Sequence, residues 1–328
     1  MRLSVLDQSP VSEGATGVDA LANTLDLAER VNALGYHRYW VAEHHGGAML
    51  AGPSPEALIG PVALAAPGMR VGSGGVMLPH YSPFKVAETF SVLAGLFPGR
   101  IDLGLGRAAG TDPLTTFALQ RDRREASPDD FPNQLAELLA YFNGDLPPDH
   151  PFARLELATE ERPVPWLLGS SPQSAIWAEQ LGLDYAFADF INPNGSELGL
   201  ATKPRAVAVW ALAAESEEEA QALAASSRMA MLELRRGNLI PVPPVAKAQE
   251  YLSQIPRHHR SGGRRAIIGT PEQVRAGLET VADAYGAEEV IVVTITHDHS
   301  ARLRSYELIA EACLLEPRSE CHKVVTKS

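Results

Sequence analysis

The sequence predicts an α/β fold, a (β/α)8 TIM-type barrel with insertions after strand 4 and before the last helix–strand unit. Three observations carry this. Roughly eight short apolar runs alternate with helical segments over 328 residues, close to the ~250 residues plus insertions of such barrels. The final run, VIVVTI at 290–295, is apolar without a break, as suits a parallel strand buried on both faces. The first run is followed by Asp7-Gln8-Ser9-Pro10, whereas a doubly wound dinucleotide-binding sheet would carry a glycine fingerprint there.

The elements follow in order. Residues 3–6 form a first strand stopped by Asp7-Gln8-Ser9-Pro10. Leu21, Leu25, Ala28, Val31 and Leu34 then recur at steps of three and four, one face of a helix, with Gly35 where a left-handed cap belongs. Residues 36–42 run as a second strand into Glu43-His44-His45-Gly46-Gly47. Residues 71–78 are the third, and Ser82-Pro83 caps a helix reaching about residue 96. The fourth, 100–104, enters Leu105-Gly106-Arg107-Ala108-Ala109-Gly110. Further strands lie at 164–168, 184–188 and 206–213, with Ser171-Pro172 opening a helix that closes at Gly182. Thr270-Pro271-Glu272-Gln273 is a capping box for a helix carrying Val274, Leu278, Val281 and Tyr285. The polar, proline-rich stretch 111–157 reads as one insertion. The stretch 237–265, with Pro241-Val242-Pro243-Pro244 and Arg257-His258-His259-Arg260, reads as a second and as a lid. No linker interrupts the rhythm, so one domain over 1–328 is expected.

Hydrophobic residues are 45% and charged residues 21% of the chain, as in a soluble enzyme, and the net charge is −12. That charge argues against nucleic acid or an anionic membrane as partner, and obliges any anionic ligand to find a local positive site. Cys313 and Cys321 have no metal-like spacing and read as free thiols in a reducing compartment. The opening apolar run meets Asp7 too early for a signal peptide, and no run approaches the ~18 residues of a membrane helix. A cytoplasmic protein is expected.

Barrel active sites lie at the C-terminal ends of the strands. Here those exits carry Asp7-Gln8-Ser9, Glu43-His44-His45, Pro79-His80, Gly106-Arg107, Gly169-Ser170-Ser171, Asp189 and His297-Asp298-His299. Ser170 and Ser171 meet a helix N-terminus, where free N–H groups and the dipole favour an anion, and Arg107 offers a bidentate cation. Each alone is more simply a helix cap or an ion pair; together, in an acidic chain, they favour a phosphate site. Gly72-Ser73-Gly74-Gly75 within a strand implies a bulge, a ligand passing close to the backbone, or a wall needing small side chains. Adjacent His44 and His45 point to opposite sides of an extended chain, one toward the pocket and one into packing. His297 and His299 share a face and could bind metal, but the plainer reading, which we favour, is the start of a polar loop.

These segments resemble the luciferase-like flavin monooxygenases, in the single-type alkanal-monooxygenase-like branch. The resemblance lies in SVLDQSP (4–10), YWVAEHH (39–45), VGSGGVMLPHYSP (71–83), FPGRIDLGLGRAAGTDP (97–113), WLLGSSPQSA (166–175), IIGTPEQV (267–274) and THDHSARLRSYELIAEA (296–312). It covers nearly the whole chain in consistent order. It implies a barrel binding reduced FMN as co-substrate, usually delivered by a separate flavin reductase, with O2 as oxidant, a small organic substrate and a homodimer. By position His44 matches the catalytic histidine, Arg107 the phosphate-binding arginine, and Ser171 and Ser174 the hydroxyl positions beside it. Gly74-Gly75 matches a pair joined by a cis bond under the flavin ring, so Ser73, Gly74, Gly75, Arg107, Ser170, Ser171 and Ser174 are the expected cofactor residues. Three departures stand out. Gly106 replaces a reactive cysteine of the light-emitting enzymes, His80 replaces a frequent asparagine, and the 192–203 crossover is short.

An FMN-dependent monooxygenase is therefore the leading expectation. A deazaflavin-dependent dehydrogenase and a non-catalytic flavin binder are the alternatives. A metal-dependent barrel hydrolase ranks below them, because the first strand ends in Asp7-Gln8-Ser9 rather than His-x-His. Arg265, closing the expected lid, would be placed to reach the flavin or a carboxylated substrate.

Overall fold

A computed structural model describes residues 1–108, 111–119, 130–256 and 265–318. Eight parallel strands close a barrel: β1 (Arg2–Asp7), β2 (Arg38–Val41), β3 (Arg70–Met77), β4 (Ile101–Gly106), β5 (Val164–Gly169), β6 (Asp184–Ala188), β7 (Ala206–Ala213) and β9 (Glu289–Val293). Each pairs with its neighbour in chain order, and the ring closes through β6–β7, β7–β9 and β9–β1. These are the eight expected strands. A ninth, β8 (Ala266–Gly269), is too short to stand out in the sequence from the capping box that follows it. It pairs with Trp210–Ala213 of β7, beyond the point where β6 stops.

The outer layer is α1 (Gly17–Ala33), α2 (Pro55–Ala65), α3 (Pro83–Leu96), α4 (Pro113–Leu119), α5 (Phe131–Asn143), α6 (Pro172–Leu181), α7 (Glu217–Arg235), α8 (Val245–Ser253), α9 (Pro271–Tyr285) and α10 (His299–Ala312). The capping box at Thr270 forms as expected, and Gly286 closes α9 at φ +61°. Neither α2 nor α7 shows in the spacing of the sequence. α2 is apolar almost throughout and contains Pro61, so it shows little helical period, and α7 buries an alanine-rich face that does not stand out. The stretch after β4 holds more than irregular chain: α5 buries Phe131, Leu135, Leu138, Tyr141 and Phe142 and is the crossover helix between β4 and β5. Within 237–265, α8 packs on α7 through Ala225, Met229, Ala248 and Leu252. Ala109, Gly110, the run 257–263 and Cys321 lie outside the described residues. No helix among the described residues is long and apolar enough to cross a membrane.

Period-two alternation divides the strands. Leu3, Val5, Tyr39, Val41, Leu103, Val207 and Val292 face the helices, whereas Leu6, Trp40, Trp166, Ala186, Ala208, Trp210 and Ile291 fill the interior. The N-terminal mouth is plugged by charge. Arg38, at the start of β2, bonds Asp102 Oδ2 and Glu289 Oε1, each at 2.6 Å, and Arg70 joins Asp102 Oδ1 at 2.6 Å. The Arg38 guanidinium lies 4.6 Å from the Trp166 ring centre. With that end sealed, interior space among the described residues opens toward the strand exits.

Candidate functional site

Two chambers occupy the C-terminal end of the barrel and share Phe190 and Ile191 in their walls. The first, about 410 Å³, rests on Leu6, Trp40, Leu168, Ala186, Ala208 and Ile291. Many barrels fill this level with bulky residues; here alanine on β6 and β7 leaves it open. Gly74 and Gly75 form one wall and are joined by a cis peptide bond. A Cβ on Gly74 would lie 2.6 Å from Leu6 Cδ1, and one on Gly75 would lie 2.6 Å from the Gly104 carbonyl oxygen. The β3–β4 register shifts between Ser73 and Val76, the bulge the glycines suggested. Ser73 is fully buried and is not part of the cavity lining. Its hydroxyl donates to Gly104 O at 2.9 Å and braces the wall from behind.

Arg107, Ser170, Ser171 and Ser174 meet at one corner of the same chamber. Ser171 is the N-cap of α6 in extended conformation (φ −137°, ψ 158°), yet its side chain caps nothing and Pro172 begins the helix. The orphan N–H groups of that first turn are thus left for another acceptor. Ser174 is more committed: its hydroxyl donates to Ser171 O at 2.7 Å and meets the Tyr185 hydroxyl at 2.9 Å. Burial holds the Tyr185 phenol protonated, its pKa pushed up to about 12. Asn192, just past β6, donates to Ser170 O at 2.9 Å and fixes the corner from the far side. The Arg107 guanidinium lies 5.6 Å from the ring centre of Trp177 on α6. This corner can hold a phosphate monoester by charge, hydroxyls and helix dipole together.

The second chamber, about 450 Å³, is lined by His44, His45, Gln8, Trp210, Met231 and Leu239, among others. The His44 N–H donates to Gly52 O at 3.0 Å, which sets the chain direction after β2. Its Nδ1 is buried with no hydrogen-bond partner. Burial, then the neighbouring His45, lowers its pKa to about 4, so the ring is neutral at pH 7. His45 is held differently: its Nε2 meets Glu43 Oε1 at 2.7 Å. Fully buried Glu43 also accepts from Met77 N at 2.9 Å and Tyr81 OH at 3.2 Å, locking the β2 exit to the β3 exit. His80 stands edge-on to His45, ring centres 5.7 Å apart.

Asp7, His297 and His299, at other strand exits, are engaged by structural partners. Asp7 is buried against Arg302 Nη2 at 2.7 Å and Tyr39 OH at 2.6 Å, attractions that hold it ionised despite burial. His297 Nε2 meets Glu13 O at 3.1 Å and His299 Nε2 meets Asp26 at 2.8 Å, so the two rings are engaged separately. Sequence reasoning missed Trp177, Phe190, Ile191 and Asn192. The last three follow β6 directly, and the strand-exit rule could have found them.

The luciferase-like monooxygenase family matches residues 1–288. The N-acetyl-S-alkylcysteine monooxygenase of Bacillus subtilis (strain 168) is 36% identical over 339 aligned residues, covering 97% of this chain and all of the relative. The crystal structure of apo-MsnO8 superposes with a TM-score of 0.87 at 39% identity, covering 97% of this chain and 99% of that one. A more distant likeness, of fold alone, is the oxygenating constituent of 3,6-diketocamphane monooxygenase from Pseudomonas putida, solved with FMN. It has a TM-score of 0.69 at 17% identity and covers 95% of this chain and 97% of that one. With a family match over most of its length and full-length relatives above 30% identity, this chain belongs to the luciferase-like monooxygenase family of flavin-dependent monooxygenases.

Proposed function

We propose that the protein binds reduced FMN in the first chamber and directs O2 onto a small organic substrate in the second, the flavin being supplied by a separate reductase. The observation that carries this is the junction at Phe190 and Ile191. It is the wall common to a chamber with a built anion corner and one holding a neutral histidine with a buried, unpartnered nitrogen. A flavin mononucleotide fits the first on two counts. The Ser171 hydroxyl and the α6 N-terminus are uncommitted toward a phosphate, and the Gly74-Gly75 wall, where a Cβ would collide with Leu6 or the Gly104 carbonyl, carries no side chain and admits a flat ring.

In this reading Arg107, Ser170, Ser171 and Ser174 hold the phosphate, Gly74 and Gly75 line the ring, and Ser73 contributes only by bracing Gly104. Bound reduced flavin supplies the electrons that activate O2. His44, neutral at working pH, accepts or returns a proton through Nδ1. Phe190, Trp210, Met231 and Leu239 make the second chamber apolar and keep water from the reacting centre. A homodimer in the cytoplasm is the expected setting.

Fluorescence titration with FMN, FAD and a deazaflavin, each oxidised and reduced, tests the cofactor. Tightest binding to reduced FMN, with oxygen uptake once NADH and a reductase are added, is the expected result. Preference for deazaflavin with no oxygen uptake would replace the oxygenase with a dehydrogenase. Flavin binding without any turnover would make the protein a carrier.

A further inference from the structure

A third chamber, about 160 Å³, continues the row. It adjoins the His44 chamber at Trp210 and Met231 and shares no lining residue with the cofactor chamber. One wall is a stripe of α7. Ala224, Arg228, Met231 and Arg235 fall at steps of four, three and four, on a single helical face. The neighbouring face, with Ala225 and Met229, packs on α8. A helix stripe turned to the barrel is ordinarily apolar, yet half of these positions are arginine. Arg265, entering β8, lines the same chamber, and among the described residues no Asp or Glu does.

This concentration of positive charge sits in a chain of net charge −12. Arg265 is partly answered, since its Nη2 donates to Pro193 O at 2.8 Å and its Nε lies 3.8 Å from Asp189 Oδ2. Arg228 donates to the neutral Gln221 Oε1 at 2.6 Å, and burial works against its charge. Arg235 is exposed. Trp210, 9% exposed and part of both chambers, buries its indole N–H with no partner. A buried donor left unmet costs ~1–3 kcal/mol, so the indole asks for an acceptor and the guanidinium for a negatively charged one, and a single carboxylate answers both.

We propose that the third chamber receives the carboxylate end of the substrate, which makes the substrate a small organic monocarboxylate. Its anionic end lies among Arg228, Arg235 and Trp210 and its oxidisable part in the His44 chamber. The planar carboxylate matches the guanidinium fork, and the apolar remainder matches Leu212, Ile268 and Ile295. The anion is not the cofactor phosphate, because the two chambers have no wall in common. This assignment rests on the oxygenase reading for the identity of the neighbouring chambers.

Calorimetric titration of the full-length FMN-loaded protein tests it with two acid–amide pairs, hexanoate with hexanamide and N-acetyl-S-methylcysteine with its carboxamide. In at least one pair the acid should bind at least tenfold more tightly than the amide. Arg228→Gln and Arg235→Gln should each erase about tenfold of that preference and leave amide binding unchanged. If Arg228→Gln fails to fold by circular dichroism, exposed Arg235→Gln carries the test. Absence of acid binding, parity of acid and amide in both pairs, or a preference that survives the substitutions would overturn the proposal. FMN affinity measured on the same samples separates the failures. FMN bound without carboxylate preference removes only this inference, whereas no FMN binding removes the oxygenase reading itself.

Discussion

Burial leaves the His44 imidazole uncharged at neutral pH, and that has a thermodynamic signature. Its folded pKa of about 4 lies below the ordinary value of 6.5, so between those pH values the unfolded chain binds a proton that the native protein refuses. Stability from this site is complete above about pH 6.5 and falls as the pH drops toward 4, by up to about 3 kcal/mol. Urea unfolding at pH 7 and pH 4.5 should therefore show a smaller acid loss in His44→Gln than in wild type. The same substitution should cut oxygen-coupled turnover by about 100-fold or more, the usual contribution of a placed proton-transfer group. In the proposed site Arg107 would act on binding instead. Arg107→Ala should weaken FMN by about 10- to 100-fold, read by fluorescence quenching, since charged hydrogen bonds contribute ~1.5–3 kcal/mol.

At the scale of elements, two helix N-termini with similar serine or threonine starts behave oppositely. Thr270 caps α9, its hydroxyl accepting from Gln273 N and the Gln273 side chain returning to Thr270 N. Ser171 begins α6 with its hydroxyl uncommitted. Thr270→Ala should thus cost about 1 kcal/mol of stability with FMN affinity unchanged. Ser171→Ala should leave the urea midpoint nearly in place and weaken FMN. A stability loss in Ser171→Ala with no change in FMN affinity would return that serine to a purely structural role.

For the whole molecule, the sealed N-terminal mouth is what makes the barrel one-ended. Arg38, 3% exposed, answers both Asp102 and Glu289, each fully or almost fully buried. Arg38→Met would leave buried Glu289 without its cation and Asp102 with Arg70 alone, and such losses cost about 3–5 kcal/mol. Denaturant unfolding should show a drop of that order, and the plug should fail without any residue of the Arg107–Ser171 corner being touched. Replacing one end of a buried network is severe because the partners keep their desolvation penalty.

The sequence by itself determined the eight barrel strands, because each is an apolar run cut off by polar or glycine punctuation, and it determined the capping box at Thr270. It also brought Arg107, Ser170 and Ser171 under suspicion, since strand exits and helix starts are local features. What it could not determine depends on contacts hundreds of residues apart or on which face of an element turns inward. The four residues of β8 become a strand only because β7 offers an edge where β6 ends. His44 and His45 are equivalent as letters, and Glu43 together with the walls of the second chamber leaves one engaged and the other buried without a partner. Ser73 sits beside Gly74 and Gly75 in sequence, yet the pleat turns its hydroxyl to Gly104. Arg228 and Arg235 look like the solvated face of a surface helix until the fold rotates that stripe toward the chambers. Local order follows from the spacing of residue types, whereas pairing, burial and the joining of chambers arise only when the barrel closes.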